Sequence, residues 1–501
     1  MLPESTLRDT SMMVARQLGL DFPQNRWKDL EQAIVLTARE LGIKETDKDI
    51  SAWLSGYSLP PAGLEVLSTY LTVGETYFFR EKTGLDAFQK YIIPEIIKER
   101  EGKEQYLRIW SAGCCTGEEP YTLAILLKEM IPDIHKWSIT ILATDTNAIF
   151  LKKAQKGIYS SWSFRETPQS VKDQYFLPIG KDWEIIPEIR KMVTFSSLNL
   201  AWDEYPSMIT NTNAIDVIFC RNVLMYFTPG QIRLAGQRFH RSLTERGWLI
   251  TSSVELNDDY FSEFAAVSVE KGIFYRKIPK EARKYSPTNV GLTFPKQPFP
   301  NLSATRKPYP KQTIPSKQTN SSGLKKSSDS KTAESKFSMR NGSPSNEVEL
   351  LFEKGYYQEC IEQCLASVKS APSDNHIIIF LVKSYANLGK LDEAVRWCET
   401  LLSLNGTGAD SQYLYATILI EKNEPEIAES ILKRALYLDP HHLLSHFLMG
   451  TIANRLGRKR VAAKHFNNVK DLLSTFHEDE VVPGSEGLTA GRMKELIDIL
   501  A

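Results

Sequence analysis

A run of small and acidic residues after an apolar segment is the first place in this chain where chemistry could occur. Residues 109–121 read Ile-Trp-Ser-Ala-Gly-Cys-Cys-Thr-Gly-Glu-Glu-Pro-Tyr, which predicts a strand, a turn with two glycines and then a helix. A glycine such as Gly113 lets the backbone approach a bound ligand closely, and a helix N-terminus attracts anionic groups. The spacing from Gly113 to Gly117 is not that of the dinucleotide fingerprint G-x-G-x-x-G. The turn alone therefore indicates only a nucleotide-like cofactor.

Polar residues also follow two later apolar runs. Asp145 follows the run at residues 138–143, at a position where a nucleotide-binding sheet commonly places an acceptor for ribose hydroxyls. The alternative is that Asp145 caps a helix that begins near Asn147. The run at residues 215–220 breaks into Arg221 and Asn222. Because ligands of open α/β sheets bind outside the carboxyl ends of the strands, we interpret these residues as parts of one site.

The elements that must position these residues alternate between strand and helix. Strands are predicted at residues 107–111, 138–143, 214–220, 248–252 and 272–276, and helices at residues 120–130 and 231–243. This alternation predicts an α/β domain around a largely parallel sheet. Residues 1–70 have a helical pattern instead, with one apolar stripe formed by Ala33, Ile34, Leu36 and Leu41.

Residues 281–345 differ in composition from everything around them. They are rich in Pro, Ser, Thr, Lys and Asn, and they contain 12 basic and 3 acidic residues, although the formal net charge of the chain is zero. Such a segment buries too little apolar surface to offset its chain entropy, which predicts a disordered basic linker. The alternative, an electrostatic tether to nucleic acid or acidic lipid, lacks an accompanying pattern of aromatic residues.

A 34-residue period follows the linker. Four residues occur at this spacing, namely Gly355, Gly389, Asn423 and Gly457, and five positions after each comes a small residue, namely Cys360, Ala394, Ala428 and Ala462. Pro372 and Pro440 occupy equivalent positions where a second helix should end, although Gly406 and Ser474 replace proline in the other two units. The pattern resembles tetratricopeptide repeats, which predicts about four helix pairs over residues 346–475 that bind a protein or peptide partner or act as a rigid spacer. Residues 476–501 are predicted to be a tail with a capping helix from residue 489.

Composition excludes several classes of protein. No apolar run reaches the roughly 18 residues of a membrane span, and the charged N-terminus does not resemble a signal peptide, so we expect a cytoplasmic protein. The six cysteines include no C-x-x-C pair and have few histidines near them. We therefore expect reduced, mostly buried thiols and no metal site.

Several motifs in a fixed order resemble the CheR family of chemotaxis receptor glutamate O-methyltransferases over about residues 1–280. They are Val-Gly-Glu-Thr-Tyr-Phe-Phe-Arg at residues 73–80, the glycine turn, Asp145, Asn199-Leu200 and Cys-Arg-Asn-Val at residues 220–223. The resemblance implies a Rossmann-like methyltransferase domain at residues 71–280 behind an all-α domain at residues 1–70. It also implies S-adenosyl-L-methionine as methyl donor and glutamates on the cytoplasmic helices of chemoreceptor-like proteins as acceptors. We expect no nucleic-acid partner, because the Asp/Asn-Pro-Pro-Tyr signature of methyltransferases that modify nucleic-acid amino groups is missing.

Matched position by position, the resemblance assigns roles to ten residues of this chain. Cofactor contacts are implied for Thr76, Arg80, Glu119, Asp145, Asn199, Leu200, Arg221 and Asn222, and Gly113 of the turn joins them. Arg80 and Tyr226 are the predicted catalytic residues. Glu118 stays open as an alternative to Glu119, because this chain holds one extra residue between the turn and Asp145.

The predicted chemistry needs positioning more than a general base. A glutamate carboxylate, with a reference pKa near ~4.3, is already ionised at neutral pH and can attack a sulfonium methyl directly. Arg80 can hold a carboxylate, either the acceptor's or the one on the cofactor's methionyl part, unless it only pairs with Glu81. Tyr226 can face the sulfonium, unless it is simply a core residue.

One motif departs from the family. Residues 252–255 read Ser-Ser-Val-Glu where relatives commonly carry Gly-His-Ser-Glu, so any role of that histidine is in doubt while Glu255 is kept. The alternative to an enzyme is a non-catalytic scaffold that uses the methyltransferase fold and the repeats as binding modules. From the linker we also expect the repeats to be separable from the cofactor domain.

Overall fold

The computed structural model describes residues 2–55, 59–102, 105–269, 271–278, 344–370, 374–405 and 408–500. Almost all of the predicted linker, as well as Pro372 and Gly406 of the repeat pattern, lies outside these residues.

A seven-stranded sheet is the centre of the α/β domain. The strands of the chain are β1 Tyr106–Ala112, β2 Ser138–Asp145, β3 Ile158–Tyr159, β4 Phe176–Ile179, β5 Asp182–Ile185, β6 Val193–Ser197, β7 Ile215–Cys220, β8 Leu243–Thr251, β9 Ala265–Val269 and β10 Gly272–Arg276. The order in the large sheet is β6-β2-β1-β7-β8-β10-β9, and β3, β5 and β4 form a small antiparallel sheet. Strands β6, β2, β1, β7 and β8 run parallel to one another, whereas β10 runs antiparallel to β8 and β9. The prediction of a largely parallel sheet is confirmed.

Both faces of this sheet are covered, which explains why its central strands read as continuous apolar runs. Ile109 packs into the core on one face and its neighbour Trp110 into the core on the other. All six residues of β7 are buried. The sequence prediction missed β6, whose burial alternates over only five residues, and also β9 and the small sheet.

Helices surround the sheet and form the N-terminal domain. Before the linker they are α1 Glu4–Leu18, α2 Trp27–Glu40, α3 Asp47–Leu54, α4 Pro61–Leu71, α5 Lys82–Ala87, α6 Ile93–Glu99, α7 Glu118–Met130, α8 Ala148–Lys156, α9 Gln169–Tyr175, α10 Pro187–Arg190 and α11 Pro229–Ser242. A π-helical turn at Phe88–Ile92 joins α5 to α6. The predicted stripe on α2 buries Ala33 and Ile34 fully, but Leu41 is past the end of the helix and exposed.

The 34-residue pattern corresponds to four antiparallel helix pairs. They are α12 Pro344–Glu353 with α13 Tyr357–Ser370, α14 Asn375–Asn387 with α15 Leu391–Asn405, α16 Ala409–Glu421 with α17 Pro425–Leu438, and α18 Leu443–Arg455 with α19 Lys459–Leu472. The four turn residues all have a positive φ between 63° and 72°, where glycine and asparagine cost least. The small residues five positions later are all buried, because helices cross closely there. A final helix, α20 Ala490–Leu500, follows.

The repeat helices pack against the α/β domain, contrary to the expectation that the two parts are separable. Met208, in the loop between β6 and β7, lies in one apolar cluster with residues of α14, α15 and α16. Its neighbour Ile209 packs against a second cluster formed by α18, α19 and α20. The composition of a linker describes only the segment that connects two domains, and it carries no information on whether their surfaces meet.

Candidate active site

One pocket lies where the carboxyl ends of β1, β2, β6 and β7 meet the N-terminal domain. The structure brings all ten sequence-predicted residues into its lining, namely Thr76, Arg80, Gly113, Glu119, Asp145, Asn199, Leu200, Arg221, Asn222 and Tyr226. Parallel strands bring their carboxyl ends to the same edge of a sheet, so residues far apart in sequence meet there.

The glycine turn forms the floor of the pocket. The backbone amides of Gly113 and Cys114 donate to the carbonyl of Thr144 at 2.8 and 2.9 Å, which joins the ends of β1 and β2. Gly113 has φ of 83°, and a Cβ atom built on it would lie 2.3 Å from Cγ2 of Val223. Any larger residue at position 113 would therefore meet both backbone strain and a steric clash.

Asp145 holds the turn rather than capping a helix. Its two carboxylate oxygens accept from the amides of Cys115 at 2.8 Å and Asn147 at 2.9 Å. The side chain that caps α8 is that of Asn147, which accepts from the amides of Ile149 and Phe150. Each carboxylate oxygen can accept a second bond, so Asp145 keeps acceptor capacity beside the pocket.

Glu119 and Glu118 point to different places. Glu119 accepts from Ser111 at 2.7 Å and forms an ion pair of 2.7 Å with Nε of Arg221, inside the pocket lining. Glu118 is buried away from that lining, where it accepts from the hydroxyls of Thr116 and Ser163 at 2.6 and 2.9 Å. The geometry thus favours Glu119 as the residue within reach of a ligand.

Arg80 is presented by an unusual backbone. The residues on both sides of it, Phe79 and Glu81, have positive φ angles of 60° and 52°, which cost non-glycine residues on the order of 1 kcal/mol each. Arg221 fixes this segment by donating to the carbonyl of Arg80 at 2.7 Å. The side chain of Arg80 donates to the carbonyl of Glu75 and makes no ion pair with Glu81 among the described contacts.

The N-terminal domain closes one side of the pocket through residues that the sequence analysis missed. Leu18 and Leu20, at the end of α1, belong to the lining. The amide of Asp21 donates to the carbonyl of Tyr226 at 2.7 Å, and the guanidinium of Arg26 lies 5.5 Å from the centre of the Tyr226 ring. Tyr226 is therefore a wall of the pocket rather than a core residue. The local signal is weak, since leucines at the end of an amphipathic helix usually indicate core.

Glu255 organises the turn that carries Arg221 and Asn222. It is only 2% exposed, and its carboxylate accepts from the amides of Asn222 and Val223, each at 2.8 Å, and of Met225 at 3.2 Å. Asn222 has a positive φ of 59°, a conformation that this carboxylate holds in place. Residues 252–255 differ from the family motif except at Glu255, and in the structure this conserved glutamate positions the turn after β7.

Comparison with known proteins matches this region to one family. Residues 74–272 match the model for the CheR methyltransferase, SAM binding domain, and residues 409–442 match a tetratricopeptide repeat. Chemotaxis protein methyltransferase 2 of Vibrio cholerae is 34% identical over 218 residues, which cover 43% of this chain and 74% of that protein. The chemotaxis protein methyltransferase of Listeria innocua is 35% identical over 243 residues, covering 48% of this chain and 87% of that protein. The chain belongs to the CheR methyltransferase family.

The repeat region of this CheR chain has more distant structural neighbours. One of them is a tetratricopeptide repeat protein of Thermus thermophilus with 20% sequence identity. The match covers 26% of this chain and 74% of the Thermus protein, with a TM-score of 0.24. None of the helices within the described ranges is long and apolar enough to cross a membrane.

The pocket of the CheR domain suits S-adenosylmethionine, a nucleoside that carries a positive sulfonium. Three carboxylates, Glu75, Glu119 and Asp145, lie in its lining, and the missing side chain of Gly113 lets the turn after β1 pack directly against Val223. Burial raises the pKa of Asp145, and the amides of Asn147 and Cys115 oppose that shift. A cationic ligand beside Asp145 would favour its ionised form further.

The cysteines of the turn lie in surroundings that disfavour their thiolate forms. All six cysteines of the chain are buried, where burial was predicted for most of them. Burial raises the pKa of Cys114 and Cys115 well above the usual value, and the carboxylate of Asp145 raises both further. Because only the thiolate is a good nucleophile, these two side chains serve as small apolar groups in the pocket wall.

Proposed function

We propose that this CheR protein transfers the methyl group of S-adenosylmethionine to glutamate side chains on the cytoplasmic helices of chemoreceptor-like proteins. The proposal is supported by membership of the family and by relatives that are named chemotaxis protein methyltransferases. The observation that carries it is Arg80, a permanently charged group that lines the cofactor pocket on a strained backbone held by Arg221.

The residues around the pocket match the needs of a carboxylate acceptor. S-adenosylmethionine, when bound, supplies a methyl group on a good leaving group, and an ionised glutamate needs no base to accept it. The guanidinium of Arg80 can bind both oxygens of a carboxylate and so orient it. The ring of Tyr226 can attract a nearby cation by about 1 kcal/mol. Holding the partners in line contributes on the order of 7 kcal/mol or more, the largest of these effects.

The cofactor would be held by residues from four strand ends and one preceding segment. The turn after β1 contributes Gly113, and the start of α7 that follows it contributes Glu119. The end of β2 contributes Asp145, and the segment after β6 contributes Asn199 and Leu200. The turn after β7 contributes Arg221 and Asn222, and Thr76 comes from the segment before α5.

Transfer to a receptor tests the proposal directly. We would incubate the full chain with labelled S-adenosylmethionine and a chemoreceptor cytoplasmic fragment, and we expect base-labile label on glutamate. A matched fragment with its acceptor glutamates changed to alanine should stay unlabelled. Protein that binds the cofactor but labels no receptor fragment would contradict the acceptor assignment and favour a non-catalytic scaffold.

We further propose that the repeat array regulates the methyltransferase domain of the same chain. Its support is the packing of Met208 and Ile209, which lie in the loop that begins at the cofactor residues Asn199 and Leu200, against the repeat helices. Removing residues 344–500 should then change the rate of methyl transfer even with acceptor in excess. An unchanged rate would favour recruitment of a separate partner as the role of the array.

A further inference from the structure

The last helix, α20, packs beside a strand and a loop that carry part of the proposed cofactor pocket. In the large sheet β6 is an edge strand, and α20 packs against it and against α8. A helix that covers a sheet edge protects it from pairing with other chains. Here the same helix also brings one cation, Arg492, to the carboxyl end of β6, where the cofactor loop begins.

Arg492 binds a carboxylate inside that loop. Its Nη2 and Nε donate to the two oxygens of Asp203 at 2.7 and 3.1 Å, a bidentate arrangement. The side chains of Arg492 and Asp203 are only 23% and 16% exposed, so solvent screens this pair less than an ordinary surface ion pair. Its other neighbours are Glu495, one turn along α20, and Ser197, whose hydroxyl lies 3.4 Å from two guanidinium nitrogens.

Asp203 contacts both Arg492 and a residue of the pocket lining. The Oδ2 atom that accepts from Arg492 also accepts from the backbone amide of Asn199 at 2.7 Å. Asn199 is part of the pocket lining, and its own amide oxygen accepts from Ala201 at 2.9 Å, which closes the turn. A single carboxylate oxygen therefore links the C-terminal helix to the backbone of a cofactor residue.

Arg492 also contacts Ser197, which is next in sequence to a second residue of the pocket lining. In the register of β2 and β6, Ser197 stands opposite Asp145, and the amide of the following Leu198 donates to the carbonyl of Asp145 at 3.2 Å. Both Leu198 and Asp145 line the pocket. The guanidinium thus lies where the two strand ends that carry Asp145 and Asn199 come together.

We propose that Arg492 is a positioning residue for the cofactor pocket, acting through Asp203 on the backbone of Asn199. The C-terminal helix, more than 200 residues after the cofactor domain in sequence, is on this account part of the frame of the active site. The inference rests on S-adenosylmethionine being the ligand of the pocket, and it is independent of which acceptor receives the methyl group.

Binding of S-adenosylmethionine by the full chain, measured by calorimetry without acceptor, tests this inference. We expect Arg492→Ala to raise the Kd about tenfold and Arg492→Lys to raise it less, because lysine keeps the charge but not the fork. Asp203→Asn should act in the same direction. The double variant with Arg492→Ala and Asp203→Asn should have a Kd no higher than that of the single variant with the higher Kd. This is the result expected when two residues act through one contact.

Lys470→Ala is the matched control, because Lys470 of α19 pairs with Asp498 of α20 and both of these side chains are exposed. It should leave the Kd unchanged. In transfer assays Arg492→Ala should raise the KM for S-adenosylmethionine while kcat at saturation stays within about twofold. A general loss of folding would instead lower the active fraction and the melting temperature in parallel, and Arg492→Lys and Asp203→Asn then supply the decisive Kd values.

An unchanged Kd in all three pocket-side variants would overturn the role of Arg492 while leaving the proposed function intact. A Kd raised equally by Lys470→Ala would also overturn it, because the helix as a whole and not this contact would then matter. Wild-type protein that binds no S-adenosylmethionine would overturn both proposals.

Discussion

At the scale of single residues, the proposed methyl transfer depends on how Arg80 is presented. Two features force its direction, namely left-handed backbone on both sides and a hydrogen bond from Arg221 to its carbonyl. Strained backbone persists only where surrounding contacts hold it, and it often marks functional sites. The sequence identified Arg80 by resemblance, but nothing in its neighbours predicted the strained conformation.

Replacing Arg80 with alanine should cut methyl transfer at least about tenfold, because the carboxylate that it orients loses its partner. Arg80→Lys is the control, because lysine keeps the charge but lacks the planar guanidinium. Its rate of methyl transfer should lie between those of the wild type and Arg80→Ala. Steady-state rates and cofactor Kd should be measured together. A raised Kd would assign the bound carboxylate to the cofactor, and a raised KM for the receptor would assign it to the acceptor. Near-normal turnover would refute the positioning role.

At the scale of elements, the site is built from turns that other elements hold in place. The turn after β7 is held by Glu255, which follows β8, and the segment after β6 is held by Arg492 on α20. A parallel sheet brings strand ends together but leaves the turns beyond them irregular. Carboxylates accept from the backbone amides that the sheet leaves unpaired, and guanidiniums donate to backbone carbonyls or to those carboxylates.

Changing Glu255 to glutamine should loosen the turn after β7. An amide keeps one acceptor oxygen but turns an NH₂ group toward backbone N–H donors, so we expect the free energy of unfolding to fall by about 2 kcal/mol or more. The affinity for S-adenosylmethionine should fall as well, because Asn222 loses its anchor. Urea unfolding and calorimetry measure the two effects. Glu245→Gln, at a largely exposed residue beside Lys277, is the control. Equal effects of both variants would contradict the role of Glu255.

At the scale of the whole molecule, the repeat array and the α/β domain share a polar contact with a titratable group. The carboxylate of Glu421, at the end of α16, accepts from the side-chain amide of Asn213 at 3.0 Å through both oxygens. Burial raises the pKa of Glu421 to about 7, and nearby Glu486 adds to that shift while Arg108 and the Asn213 amide oppose it. Glu421 is therefore close to titration at neutral pH.

The stability that Glu421 contributes should decline with rising pH. Its pKa is higher in the folded chain than the usual 4.5, so the folded state binds the proton more tightly. The contribution is full below about pH 4.5, falls by at most about 1.4 kcal/mol per pH unit, and is lost above about pH 7. Subtracting the unfolding free energy of Glu421→Gln from that of wild type at several pH values isolates this term. A difference that does not change between those limits would contradict the shift.

Much of the fold could be predicted from the sequence, because the sequence patterns that encode it are local. The 34-residue period of the repeats and the apolar runs of β1, β2 and β7 are visible in short windows. The edge strand β6 was missed, because five residues with alternating burial give little signal. The ten predicted site residues all meet in one pocket, since each belongs to or directly follows a recognisable motif. The roles of Leu18, Leu20 and Glu255 were missed because they depend on distant partners.

The sequence by itself thus determined the kinds of domain, the repeat period and the position of the glycine turn, since these depend on local spacing and on a backbone that only glycine adopts easily. Tertiary structure alone decided that Glu119 and not Glu118 faces the pocket, that the repeats pack against the loop after β6, and that Arg492 reaches Asp203. Those contacts join residues that are far apart in the chain. Their energy comes from burial and charge pairing between separate elements, and no local pattern records which surfaces will meet.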